Sequence, residues 1–151
     1  MAVSIRFQFA MESTPEFSKS ITAKFPGDEE NEFTFHKIEL NDKIILNVQI
    51  NGVMDTTFDI PVSSKSSINA YSNLSNSEDG GVEPVILIGD HSNLKIQVVA
   101  SQIGKLVLVS QEPKNLILSI GSRWFGKGNE TDENDFNRLM FVLDNVKQLL
   151  K

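Results

Sequence analysis

The sequence predicts an α+β fold: a single antiparallel β-sheet of about six to seven strands, with two α-helices packed on one face and the other face used for dimerisation. Three observations carry this. Apolar and polar residues alternate through much of the first half, the period of two that half-buried strands show. The dipeptide Asn51-Gly52 separates two such runs, and it tolerates the positive φ that a tight hairpin turn demands. The last segment instead repeats its apolar residues at helical spacing. A chain of 151 residues fits one domain, 1–151, interrupted by a flexible Ser/Asn-rich loop at 63–82.

At the N-terminus Val3, Ile5, Phe7 and Phe9 alternate with Ser4, Arg6 and Gln8, which reads as a strand. Residues 17–25 and 33–40 read as two more, joined by the polar turn Pro26-Gly27-Asp28-Glu29-Glu30-Asn31. Ile44, Leu46, Val48 and Ile50 then alternate with Ile45, Asn47 and Gln49; after Asn51-Gly52 the run Val53 to Ile60 returns, and Pro61 ends it. A two-stranded hairpin is expected here. Residues 63–82 lead through serines and asparagines to Asp79-Gly80-Gly81. They carry too little apolar surface to offset their ordering entropy.

Val85 to Ile88, bounded by Pro84 and Gly89, reads as a short buried strand. Residues 93–109 read as a helix capped by Asp90 or Ser92, with Leu94, Val98, Ile103, Leu106 and Val107 roughly at helical spacing. Their β-branched content and Gly104 would also suit a strand. Residues 115–121 form a strand with Leu116, Leu118 and Ile120 on one face. In the final helix Phe136, Leu139, Met140, Leu143, Val146, Leu149 and Leu150 make the apolar stripe. Asp132, Glu133 and Asp135 are expected in its first turn, with Lys147 and Lys151 at its end, which suits the helix dipole.

The net charge of -6 argues against nucleic-acid binding and against an anionic membrane surface. With no cysteine there are no disulfides, thiolate metal sites or cysteine nucleophiles. The N-terminal alternation lacks the unbroken apolar run of a signal peptide. No apolar stretch approaches the roughly 20 residues of a membrane helix. The sequons Asn73-Leu74-Ser75 and Asn129-Glu130-Thr131 read as chance without a secretory signal. A cytoplasmic location is expected, with the nucleus also open to it.

Little in the chain points to catalysis. Gly121-Ser122-Arg123-Trp124-Phe125-Gly126-Lys127-Gly128 matches a phosphate-binding loop except at its last position, where Gly128 lacks the hydroxyl that holds magnesium. Glu130, Asp132 and Glu133 put negative charge at the helix start that would have to attract phosphate. The loop therefore reads as a glycine-rich connection. His36 and His91 have no i+4 partner for a metal, no G-x-S-x-G elbow occurs, and both read as solvated histidines. Asp28, Glu29, Glu30 and Glu32 lack the spacing of a calcium loop. No catalytic residue, cofactor site or metal site is assigned.

Two helices cover only one face of such a sheet. The other would carry Ile45, Asn47, Gln49, Ile117 and Ser119, with either Ile86 and Ile88 or Val85 and Leu87. The pair Ile86 and Ile88 is taken as the candidate. A mixed face of this kind either stays half-wet, as antiparallel sheets tolerate, or is covered by a second subunit. Trp124 and Phe125 read either as an interface anchor or as core.

From Lys43 to Lys151, about 110 of the 151 residues, the chain resembles the proteasome assembly chaperone 3 family in its fungal, longer form. The resemblance rests on Ile44-Ile45-Leu46-Asn47-Val48 through Phe58-Asp59-Ile60-Pro61, on Val85-Ile86-Leu87-Ile88-Gly89, on Leu94 to Leu108 running into Val109-Ser110-Gln111-Glu112, and on the final strand and helix. It implies a non-catalytic chaperone of 20S proteasome assembly without cofactor. Such a chaperone pairs with a sister, proteasome assembly chaperone 4, and binds proteasome α subunits, α5 in particular, to promote α-ring formation. It also favours a helix over 93–109. A longin- or roadblock-type dimeric adaptor is the alternative, and a nucleotide-using enzyme a more remote one.

Overall fold

The computed structural model describes residues 17–62 and 82–151. Strands β1 (Ser18–Ala23), β2 (Phe33–Glu39), β3 (Lys43–Ile50), β4 (Thr56–Ile60) and β5 (Val85–Ile88) precede helix α1 (Leu94–Leu108). Strand β6 (Asn115–Ile120), a 3₁₀ turn (Arg123–Phe125) and helix α2 (Asp135–Leu150) follow. The expected N-terminal strand over 3–9 and nearly all of the 63–82 loop lie outside the described residues.

The six strands form one open sheet in the order β1-β2-β3-β6-β4-β5. The sheet is mixed: β3 and β6 run parallel while the other neighbours run antiparallel. This departs from the all-antiparallel expectation, and the cause is the hairpin. Asn51 and Gly52 do take positive φ, 55° and 77°. Ile50 and Val53 exchange two hydrogen bonds, of 3.2 and 3.1 Å. Beyond that single pair the strands part, and β6 enters between them. A strand lying between two that run in opposite directions must be parallel to one of them. The expected two-stranded β3–β4 ladder is thereby corrected to one bridge.

One face of the sheet is the core. Phe33, Phe35, Ile44, Leu46, Val48, Phe58, Ile60, Leu116, Leu118 and Ile120 are all buried. Alternation puts them on the same side, as the sequence predicts. Helix α1 buries Ile96, Val99, Ala100, Ile103 and Val107 over β4 and β6, and α2 buries Val142, Leu143, Val146 and Leu149 over β1 and β2. The cap of α1 is Asn93, whose side chain accepts the Ile96 N–H, and neither expected residue. Asp90 and Ser92 instead bond to each other in the preceding turn. Helix α2 begins at Asp135, so Asp132 and Glu133 precede it.

The strand β5 is not buried: Val85, Leu87 and Ile88 are 52, 56 and 63% exposed on the sheet edge. A short apolar run looks the same in sequence whether it is central or at an edge.

Candidate functional site

Register sets out the helix-free face row by row. One row reads Ser20, His36, Asn47, Ser119, Thr57, Ile88 across the six strands. The next reads Ser18, Ile38, Ile45, Ile117, Asp59, Val85. Thr22, Thr34 and Gln49 continue above, and Lys43 with Asn115 below. Three isoleucines on β2, β3 and β6 therefore make a short apolar stripe, bordered by hydroxyl and amide side chains. Thr57 and Ser119 hydroxyls lie 3.0 Å apart, and Ser18 Oγ lies 2.9 Å from His36 Nε2. Side chains on neighbouring strands, directly opposite at Thr57 and Ser119 and diagonal at Ser18 and His36, thus hold one another on this face.

Ile45, Asn47, Gln49, Ile117 and Ser119 all stand half-buried on this face, as the sequence predicts. Ile86 does not. It pairs with Phe58 and packs on the core, while Thr57 pairs with Ile88 and Leu87 is skipped. That bulge adds a residue to β5, so strict alternation fails there. The open face carries Val85 and Ile88. Ile38 was not among the expected residues. The alternation of Phe33 and Phe35 points to it, but Lys37 in the core phase blurs the pattern.

Phe125 belongs to the core, and Trp124 is half-buried and packs against it. Phe125 is buried, and Trp124 packs edge-on against Phe33, Phe25 and Phe125 at centroid distances of 4.6, 5.2 and 5.0 Å. The Arg138 guanidinium lies 5.6 Å from the Trp124 ring. His91 is exposed, whereas His36 is half-buried and bonded to Ser18, not simply solvated.

The glycine-rich loop wraps protein. Asp55 accepts the Ser122 N–H at 2.9 Å and the Ser122 hydroxyl at 3.1 Å. A Cβ on Gly121 would lie 2.8 Å from the Val53 carbonyl oxygen, in the fork where the hairpin opens. Gly121 answers to close packing there, and Gly126 to its positive φ of 88°.

A separate feature lies on the helix side, where the loop at 126–131 meets the first turns of both helices. The Lys95 ammonium bonds Asp135 at 3.1 Å and the Phe125 carbonyl at 3.3 Å. The Asp135 carboxyl is held below its ordinary range, first by the Asp132 N–H and then, against some desolvation, by Lys95. The pair ties α1 to α2.

The family profile describing 20S proteasome chaperone assembly proteins 3 and 4 matches residues 5–147. Among solved structures, the chain is similar to one in the crystal structure of a novel chaperone complex for yeast 20S proteasome assembly. The two share 26% identity and a TM-score of 0.65, over 89% of this chain and 98% of that one. No curated protein matches it.

Proposed function

The chain belongs to the family of 20S proteasome chaperone assembly proteins 3 and 4, and from that premise we propose that it works as half of a heterodimer whose helix-free sheet face holds a sister chaperone of the chaperone 4 type. The observation that carries this reading is the Ile38–Ile45–Ile117 stripe, half-buried on the face opposite both helices. Its extent suits the task. Six strands about 4.8 Å apart, with about six residues each at 3.3 Å, span roughly 600 Å² before side-chain relief is counted. That approaches the roughly 800 Å² per partner of a standard stable interface. The similar chain from a yeast proteasome assembly complex lends it further support.

The dimer binds proteasome α subunits, α5 in particular, promotes α-ring formation and then leaves. Its work is binding and release without bond chemistry, in the cytoplasm and with access to the nucleus. Nothing in the reading requires nucleotide or metal.

Co-expression with the sister chaperone and α5 tests it. A one-to-one chaperone pair carrying α5 is the expected product by native mass spectrometry. Ile45→Asp with Ile117→Asp, shown to be folded by circular dichroism, should split the pair. The helix-side variant Phe136→Ser should leave it whole. Recovery of a lone monomer in the presence of the sister, or a pair indifferent to Ile45 and Ile117, would refute the reading.

A further inference from the structure

The groove between the first turns of α1 and α2 encloses about 510 Å³. Leu94 and Val98 of α1 and Phe136 and Leu139 of α2 wall it, with Phe125 among the lining residues. Leu94, Val98 and Phe136 are 61, 52 and 68% exposed, so among the described residues nothing satisfies them. They sit on the side of the sheet opposite the Ile45 face. Single exposed leucines need no explanation, but three apolar side chains around one concave surface do.

The charges at the rim choose the occupant. Lys95 is spent on Asp135 inside the groove wall. Arg138 lies over Trp124 and 3.8 Å from Asp132. Lys127 lines the other side of the loop, with Asp90 and Ser92. Glu130 on the rim, and the exposed Glu133 two residues before Asp135 in sequence, have no ion-pair partner among the described residues. The mouth is therefore apolar with uncompensated negative charge. A second copy of this chain docked by its own groove would set acidic rims against each other. A fatty acid or other anionic amphiphile meets the same repulsion. A groove of this volume is also too small to seat a whole globular partner.

The geometry points to a polypeptide segment as the ligand: two or three apolar side chains fill the groove, and flanking Lys or Arg meets Glu130 and Glu133. This rests on the reading of the chain as a chaperone, because such a groove gives it a hold on a client while the sheet face keeps its sister. Apolar anchoring supplies affinity and the acidic rim supplies selection and salt-sensitive capture. A grip of this size is small enough to be released.

A phage-displayed random-peptide library panned on the intact heterodimer tests the inference. Enriched peptides should combine Leu, Ile or Phe with Lys or Arg. They should bind the dimer of a Leu94→Ser, Phe136→Ser variant about tenfold more weakly or worse. Both residues are exposed, so the variant keeps its fold, and native mass spectrometry reports the dimer separately. Glu130→Lys with Glu133→Lys should turn the selection toward acidic peptides. An empty selection, a pool without basic enrichment, undiminished binding to the serine variant, or groove-dependent self-association would each overturn the groove assignment. None of these outcomes touches the sheet-face pairing, whose failure shows as loss of the dimer itself.

Discussion

Two glycines show that steric room decides more here than conformational preference. In the interior of α1, replacing Gly104 by alanine would ordinarily gain about 1 kcal/mol of helix propensity. Yet its Cβ would lie 2.6 Å from Val82 Cγ1 and 2.8 Å from Ile60 Cγ2, both side chains buried. Overpacking a tight core costs about 1–3 kcal/mol, so the net effect of Gly104→Ala is destabilising. At Gly128 the obstacle is backbone, Asn93 Cα and Leu94 N, both at 2.6 Å. Neither can turn aside, and Gly128→Ala should lose about 2 kcal/mol or more. Urea denaturation of both variants checks the order, with Gly128→Ala the worse. The residue Gly128 looked, in sequence, like the failed last position of a phosphate loop. Only the fold shows that it seats the loop on the start of α1.

Elements were legible where their period is long and uniform. The phases of β3, β6 and α2 follow directly from their apolar residues, because one face of each is buried. Phe136 keeps the α2 period but is exposed, since the first turn faces the groove instead of the sheet. The strand β2 was harder to read because Lys37 occupies a core position, 4% exposed. Its ammonium lies 3.2 Å from Glu39 Oε1, while Lys114 reaches Glu39 Oε2 at 3.0 Å and the Leu40 carbonyl at 2.8 Å. Desolvation would raise the Glu39 pKa, but hydrogen bonds from Lys114 and then Lys37 outweigh it and hold the carboxyl below its ordinary value. The bond to Glu39 in turn raises Lys114, against desolvation. A lowered carboxyl stabilises the fold fully above its unfolded value of about 4.3, and that share is lost as pH falls through the lower native value. The raised lysine acts at the other end, losing its share only as pH climbs through a value above about 10.4. Glu39→Gln leaves Lys37 nearly buried without a counter-ion and should cost about 1–3 kcal/mol at neutral pH. The difference from the parent chain should shrink as urea titrations are taken into acid, and a difference independent of pH would contradict the sign.

At the scale of the molecule, the insertion of β6 into the opened hairpin gives the face its composition. It brings Ile117 beside Ile45 and Ser119 beside Asn47, neighbours that no local pattern could announce. Residues about seventy positions apart in sequence share that stripe through pairing alone. The same topology sends both helices to the opposite side, so a sheet face and a helix groove are available at once. We propose above that the sheet face is made for another polypeptide. Methyl NMR of isoleucine-labelled chain, with a soluble gadolinium chelate as broadening agent, tests it most directly. On adding the sister chaperone, the methyls of Ile38, Ile45 and Ile117 should become shielded while those of buried Ile44 and Ile103 stay as they were. If the three remain as accessible as in the free chain while the dimer forms, the face is not the interface and the account fails.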